Sequence, residues 1–375
     1  MDGFILNSLL LLFSFYLIAR VVDVFFVESL EIVSKRLKLS SDVAGATFMA
    51  VGSSAPELFI SFLALWRISE QQAIGAGTII GSAIFNILVI IGISALYKRA
   101  VLTWQPVIRD MLFYVVVIIL LFFTFSDGAI TLIEAVYFVA FYVAYLFSFG
   151  LWKKWFPYQT KGDIAQDMIE EDEKEQQKIR KEKWGVKNVI DKVLCLAFID
   201  LSKYPKLYML NFLIAVLFLG GLSYFMVESA IGVPHFLGIP EVIISLTVLA
   251  IGTSIPDLLS SVNVAKKGRG DMAIANAVGS NIFDIALGLG LPWLVIILWK
   301  GETVPVLTEN LNSSIILLFA TVIALLFLLV AKRWEIGRYA GVLLVAMYVF
   351  YILTQIGVID LEICINMFGY WCYSL

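Results

Sequence analysis

A motif that places a carboxylate within apolar sequence occurs twice in the chain, about 200 residues apart. The first copy reads GSSAPELF at 52–59 and is followed by GSAIFNI at 81–87. The second reads GTSIPDLL at 252–259 and is followed by GSNIFDI at 279–285. Burying a charge in lipid is costly, so such carboxylates mark candidate functional sites. The carboxylates concerned are Glu57, Asp257 and Asp284.

The duplication extends beyond the motifs. Thirteen of the 37 positions in 25–61 are identical to those in 225–261, and six of twelve in 81–92 are identical to those in 279–290. Chance identity in so apolar a sequence is roughly one in ten. The two halves of the chain are therefore internal repeats.

Composition and hydropathy predict an all-α polytopic membrane protein. Hydrophobic residues make up 61% of the chain and charged residues only 15%. A helix needs about 20 apolar residues to cross a bilayer. Ten segments meet this requirement: 4–27, 40–66, 72–97, 107–125, 129–151, 207–231, 239–265, 272–298, 311–331 and 339–358.

The distribution of basic residues predicts the orientation of these segments. With both termini outside, the inside loops contain 24 of the 27 Lys and Arg residues, and basic residues favour the cytoplasmic side. Five helices then separate equivalent points of the two copies, so the second repeat is inverted relative to the first. Such repeats are typical of transporters that alternate between two open forms.

The same pattern divides the chain into four parts. A charged loop on the cytoplasmic side, 152–206, contains 22 of the 57 charged residues and carries both signs, which is typical of a solvated connector. We expect the following divisions: a first five-helix repeat at 1–151, this loop at 152–206, a second inverted repeat at 207–358 and an outer tail at 359–375.

The polar residues around the carboxylates favour a hard cation. Pro56 and Pro256 each remove an amide donor, which frees backbone carbonyls near positions 52 and 252. Hydroxyl and amide groups share these helix faces, since residues four apart lie on one side of a helix. The candidate ligands beside the three carboxylates are Ser53, Ser54, Ser82, Asn86, Thr253, Ser254 and Ser280. All-oxygen sites suit Ca²⁺, Na⁺ or K⁺.

Other classes of function fit less well. Zn²⁺ or Cu²⁺ would favour His or Cys ligands, but the single His235 and the three cysteines lie outside the motifs. The GSSAPELF motif differs from the GxSxG elbow of hydrolases, so we expect a transporter and not an enzyme. We expect transported cations and the lipid bilayer as its partners, no cofactor and no nucleic acid.

These motifs resemble the alpha repeats of the cation/Ca²⁺ exchanger superfamily. Within it, residues 40–59, the GDMA at 270–273, the GSNIFDI motif and the LPW at 291–293 are similar to potassium-dependent sodium/calcium exchangers. The resemblance implies that Glu57 and Asp257 are the central Ca²⁺ ligands and that the remaining candidates complete the Ca²⁺ and Na⁺ positions. It also implies that Asp284 marks coupling to K⁺.

The expected function is antiport of Ca²⁺, together with K⁺, against Na⁺. Three ionised carboxylates give a charge of −3, and one Ca²⁺ leaves −1 for K⁺ to neutralise. Close carboxylates also favour protonation of one of them, so a potassium-independent sodium/calcium exchanger fits the same residues. A Ca²⁺/H⁺ exchanger is a further alternative, and a cation channel is the alternative from a different class.

Overall fold

A computed structural model describes most of the chain, namely residues 2–26, 29, 50–67, 72–157, 194, 197–199, 204–237, 241–266, 270–306 and 311–356. These ranges are almost entirely helical. Most of the predicted inside segment 28–39, most of the 152–206 loop, Cys195 and the tail with Cys364 and Cys372 lie outside the described residues.

The described part of the first half contains seven α-helices and two short strands. The helices are α1 (Asp2–Val21), α2 (Ala50–Ser53), α3 (Ala55–Arg67), α4 (Gln72–Phe85), α5 (Ile91–Tyr97), α6 (Trp104–Thr124) and α7 (Leu132–Trp155). The strands are β1 (Ala100–Val101) and β2 (Ala129–Ile130). Two π-helical segments, Val22–Phe26 and Asn86–Ile90, follow α1 and α4 directly.

The described part of the second half repeats this order from its broken motif helix onward. Its helices are α8 (Tyr208–Leu237), α9 (Glu241–Ile244), α10 (Ala250–Thr253), α11 (Ile255–Lys266), α12 (Gly270–Phe283), α13 (Gly290–Lys300), α14 (Leu311–Ala331) and α15 (Arg338–Gln355). The strands are β3 (Val304–Pro305) and β4 (Glu335–Ile336). Its π-helical segments are Ser245–Leu249 and Asp284–Leu289, and a short 3₁₀ turn, Pro205–Leu207, precedes α8.

The described helices overlap all ten predicted membrane segments. Seven are long and apolar enough to cross a bilayer, or eight if the bent pair Val242–Thr253 and Ile255–Val262 counts as one span. Two shorter apolar helices, Ile5–Val21 and Ala55–Trp66, occupy the first two predicted segments. Many large apolar side chains on these helices are exposed, as expected for surfaces that face lipid.

Two pairs of short strands show how the halves are related. β1 pairs antiparallel with β4, and β2 pairs antiparallel with β3. Exchanging the two halves turns one pair into the other, so an approximate twofold axis relates them. The loops of the first pair lie on the predicted inside and those of the second on the predicted outside. A twofold operation that exchanges the two faces gives inverted repeats.

The helices pack into two apolar clusters that meet around the motif helices. The larger cluster includes α4 to α7 of the first half and α12 to α15 of the second. In the smaller cluster α1 packs along α8, and α8 contacts α3. The centre of the molecule is formed across the repeats, because α4 contacts α10 and α12 contacts α2. This exchange brings the two copies of the motif together.

Candidate cation site

A break in the helix precedes each of the first two carboxylates. Ser54 separates α2 from α3, and Ser254 separates α10 from α11. The second break bends the span by about 40°. The prolines lie two residues further on, at Pro56 and Pro256, where the missing amide and the ring disfavour a continuous helix. The breaks thus lie between the glycine and the proline of each motif, close to the predicted position.

All ten predicted ligand residues are buried in the centre of the molecule. Glu57, Asp257 and Asp284 are each 0% exposed. Among the described residues, no hydrogen-bond partner is found for either carboxylate oxygen of Glu57 or Asp284, or for Oδ1 of Asp257. Buried polar atoms are normally hydrogen-bonded, and a buried charge without a partner is expensive. Cations bound by these oxygens would remove that cost.

The hydroxyl groups are oriented with their oxygens available as acceptors. Four of them donate to carbonyls of the preceding helical turn, which uses the hydroxyl hydrogen and leaves lone pairs on the oxygen. These bonds are Ser53 to Ala50 (3.4 Å), Ser82 to Ile79 (3.0 Å), Thr253 to Ala250 (3.3 Å) and Ser280 to Asn276 (2.8 Å). The Ser54 and Ser254 hydroxyls have no partner among the described residues.

The carboxylates are surrounded by residues from the opposite repeat. Ser53 and Asn86 of the first half interact with Asp257 of the second. In the same way, Thr253 of the second half lies beside Glu57 of the first. This reciprocal arrangement follows the approximate twofold axis and assembles the site from both halves.

Asp284 and Asn86 occupy equivalent positions but carry different charges. Each begins the π-helical segment that follows a motif helix. Asp284 lies near Ser54 and within electrostatic range of both other carboxylates. Asn86 donates from Nδ2 to Oδ2 of Asp257 at 3.3 Å. The site therefore has three carboxylates and one carboxamide on its four central positions.

The carboxylates do not gather around a single point. Within the described ranges, no group of three His, Cys, Asp or Glu side chains is close enough to hold one metal ion. Any ion in this site would be coordinated partly by hydroxyl, amide or carbonyl oxygens, which Ca²⁺ accepts readily. Such a distribution suits several neighbouring cation positions.

Two polar residues at this site were not among the predicted ligands. Asn281 accepts a hydrogen bond from Asn86 at 2.9 Å, and its own amide donates to Tyr114 Oη at 2.9 Å. Both side chains are fully buried. Asn281 belongs to the GSNIFDI motif, three residues before Asp284. Its polar side chain in this apolar motif was the signal that could have identified it. Tyr114 lies in an apolar helix with no such signal.

A second buried polar cluster lies away from the site. Arg109 and Asp110 lie near the start of the predicted segment 107–125, and both are buried within α6. They form an ion pair at 2.8 Å, Tyr145 donates to Asp110 at 3.1 Å, and the Arg109 guanidinium lies 3.8 Å from the Phe149 ring centroid. Packing against α7 therefore encloses this charge pair.

Comparison with known proteins agrees with this architecture. The profile of the family described as "Sodium/calcium exchanger protein" matches residues 7–151 and 207–357, which is most of the chain. The chain belongs to the sodium/calcium exchanger family. The prediction of a transporter and not an enzyme is confirmed by this membership, and the protein is a cation/Ca²⁺ antiporter.

Several exchangers are similar over nearly the whole chain. Sodium/potassium/calcium exchanger 2 of Gallus gallus is 28% identical, with 94% of this chain and 77% of the relative covered. A probable sodium/potassium/calcium exchanger of Drosophila melanogaster is 28% identical over 98% of this chain and 81% of its own. These relatives support the recognition of the motifs as alpha repeats.

Two solved exchangers share the fold. The sodium–calcium exchanger NCX_Mj is 25% identical with a TM-score of 0.54, covering 94% of this chain and 97% of that one. The H⁺/Ca²⁺ exchanger CAX has a TM-score of 0.64 at 15% identity, covering 94% of this chain and 81% of that one. The predicted all-α polytopic membrane fold is confirmed.

Proposed function

We propose that this exchanger moves Ca²⁺ together with K⁺ in one direction and Na⁺ in the other by alternating access. The observation that carries the proposal is the set of buried carboxylate oxygens without partners among the described residues. Hard cations bind such oxygens. The site lies between two inverted halves, where exchanging their conformations would open it to one face and then to the other.

The proposed ligand set is the one expected from the sequence. Glu57 and Asp257 are the central Ca²⁺ ligands, and Asp284 extends the site toward K⁺. The Ca²⁺ and Na⁺ positions are completed by Ser53, Ser54, Ser82, Asn86, Thr253, Ser254 and Ser280. Their burial, the buried oxygens without hydrogen-bond partners among the described residues and the reciprocal contacts across the repeats support this assignment.

Coupling to K⁺ is proposed from charge and from the relatives. A bound Ca²⁺ compensates two of three ionised carboxylates, and a residual charge in a dry site is expensive. A bound K⁺ would neutralise this residual charge. The similar proteins in Gallus gallus and Drosophila melanogaster are named sodium/potassium/calcium exchangers, which supports the same ion set here.

Transport into vesicles tests the proposal directly. The purified protein is reconstituted and loaded with Na⁺, and ⁴⁵Ca²⁺ uptake is measured with external K⁺ or with an equal concentration of choline. We expect uptake that requires the outward Na⁺ gradient and external K⁺. Uptake independent of K⁺ would indicate a potassium-independent exchanger, and uptake driven by a proton gradient without Na⁺ would indicate Ca²⁺/H⁺ exchange.

The proposed topology places both termini outside and the 152–206 loop in the cytoplasm, between a first repeat at 1–151 and a second at 207–358 followed by the 359–375 tail. Single cysteines at Glu302 and Lys332, both exposed in the structure, test it in a background without the three native cysteines. A membrane-impermeant maleimide should label position 302 only from outside and position 332 only from the cytoplasm. Labelling of both from one side would contradict inverted repeats.

A further inference from the structure

The orientation of the Asn86 carboxamide is the feature that needs explanation. Its Nδ2 donates both to Asp257 Oδ2 at 3.3 Å and to Asn281 Oδ1 at 2.9 Å. Its Oδ1 is buried and has no partner among the described residues. The amide thus directs hydrogen toward Asp257 and leaves its oxygen available for a cation. The reversed amide would direct hydrogen toward the cation.

A backbone carbonyl fixes this orientation through Asn281. Asn281 donates from Nδ2 to the carbonyl of Ala83 at 3.0 Å and to Tyr114 Oη at 2.9 Å. A carbonyl oxygen only accepts hydrogen bonds, so the Asn281 nitrogen must face Ala83. Its oxygen then faces Asn86 and can only accept from the Asn86 nitrogen. Reversing Asn86 would bring two acceptor oxygens together.

The equivalent place in the other half has no such residue. Ala83 corresponds to Asn281, just as Asn86 corresponds to Asp284. A carboxylate has two identical oxygens and presents an acceptor in either orientation, whereas a carboxamide has one acceptor and one donor end. The orienting side chain is therefore present only opposite the carboxamide. Asn281 differs from an ordinary packing residue because it occurs in the half where it contacts a side chain that must be oriented.

We infer that Asn281 is a positioning residue for ion binding, which holds the carboxamide oxygen of Asn86 toward the transported cation. The inference rests on the proposed function, since it takes Asn86 as a cation ligand. Asn281 itself acts through Asn86. Removing the Asn281 side chain should let the Asn86 amide reverse. If the Asn86 oxygen faces the cation for only part of the time, the apparent affinity for the cation falls by that fraction.

Asn281→Ala tests the inference through apparent affinity. In vesicles, the external Ca²⁺ and internal Na⁺ concentrations that give half-maximal exchange should both rise, by roughly tenfold for at least one ion, because a lost buried hydrogen bond is worth about a factor of ten. The maximal rate should fall less. Asn276→Ala is the matched control, because Asn276 is buried on the same helix and donates to Ser260 and Ser261. Its half-maximal concentrations should stay within about twofold.

Position 86 supplies the decisive comparison. In an Asn86→Asp background the orientation problem disappears, because either oxygen of the new carboxylate can bind the cation. Adding Asn281→Ala should then cause no further loss of apparent affinity and should relieve repulsion between two oxygens. A tenfold loss in both backgrounds would show that Asn281 acts by general packing and would overturn the inference.

A conservative variant covers failure of the alanine variant to fold. Asn281→Asp, protonated on the oxygen that faces Ala83, keeps a donor toward Ala83 and an acceptor toward Asn86, and it loses only the second donor, toward Tyr114. It should keep the wild-type half-maximal concentrations within about threefold, and a tenfold loss would contradict the inference. Absence of exchange in the wild type would refute the proposed function instead, so the two failures are distinguishable.

Discussion

The two copies of the motif share their backbone features but differ in their chemistry. Both have a break at a serine, Ser54 or Ser254, and both have a π-helical segment that starts at Asn86 or Asp284. The central charges are unequal, since only the second copy has a carboxylate where the π segment begins. In the proposed mechanism the duplicated backbone allows opening to two sides, and we propose that divergence at single positions determines which ions bind.

The first prediction tests whether both copies are needed. Glu57→Gln and Asp257→Asn should each lower Na⁺-dependent ⁴⁵Ca²⁺ exchange by on the order of 100-fold or more, since removing one partner of a buried charge interaction is strongly unfavourable. Glu302→Gln and Asp271→Asn are matched controls, because both residues are exposed. Near wild-type flux in either site variant would remove that residue from the proposed site.

The second prediction concerns the charge difference between the copies. Asp284→Asn reduces the three carboxylates to two, so Ca²⁺ alone balances the site and a residual negative charge no longer requires K⁺. Exchange should persist while its dependence on external K⁺ is lost. The measurement is ⁴⁵Ca²⁺ uptake over a series of K⁺ concentrations, with Asp271→Asn as control. A variant that keeps the full K⁺ requirement would contradict this role of Asp284.

The third prediction uses a charge pair that the equivalent helix of the second half, α14, lacks. Arg109 and Asp110 are buried on α6, whereas the first turns of α14 read LNSSIILL without a charge. Asp110→Asn removes one partner of a buried pair, which costs about 3–5 kcal/mol. We expect a marked fall in the melting temperature of the detergent-purified protein, compared with Asp271→Asn. An unchanged melting temperature would show that Tyr145 and Phe149 suffice to hold Arg109.

The fourth prediction addresses the close approach of the two halves. A Cβ added at Gly81 would lie 2.3 Å from the carbonyl oxygen of Leu246 and 2.7 Å from Cβ of Ala250. Gly81→Ala should therefore separate the repeats at a cost of about 1–3 kcal/mol and reduce exchange. Gly150→Ala is the control, since no atom lies within 4 Å of its added Cβ. Equal thermal stability of the two variants would contradict tight packing at this contact.

The sequence predicted the motif carboxylates and the ten apolar segments because these features are local. A carboxylate in an apolar helix is conspicuous, and a repeat can be read by alignment of the two halves. The burial of the Arg109–Asp110 pair depends on packing against α7, and the Asn281–Tyr114 bond joins two helices that are distant in sequence. Tyr114 looks like any other aromatic residue of a lipid-embedded helix until the fold places it beside Asn281. Tertiary packing decides such contacts, and local pattern does not encode it.

The last prediction compares the two strand pairs that link the repeats. Arg99 and Glu335 form an ion pair beside β1 and β4, with side chains 66% and 34% exposed. Pro305 occupies a strand position in the β2–β3 pair, where its residue partner is Ala129. Exposed ion pairs contribute about 0–1 kcal/mol, so Glu335→Gln should change melting temperature and exchange only slightly, and high salt should reduce the difference further. A fall in melting temperature as large as that of Asp110→Asn would show that the β1–β4 pair depends on this ion pair. The β2–β3 pair, in contrast, would be held by its backbone and apolar residues alone.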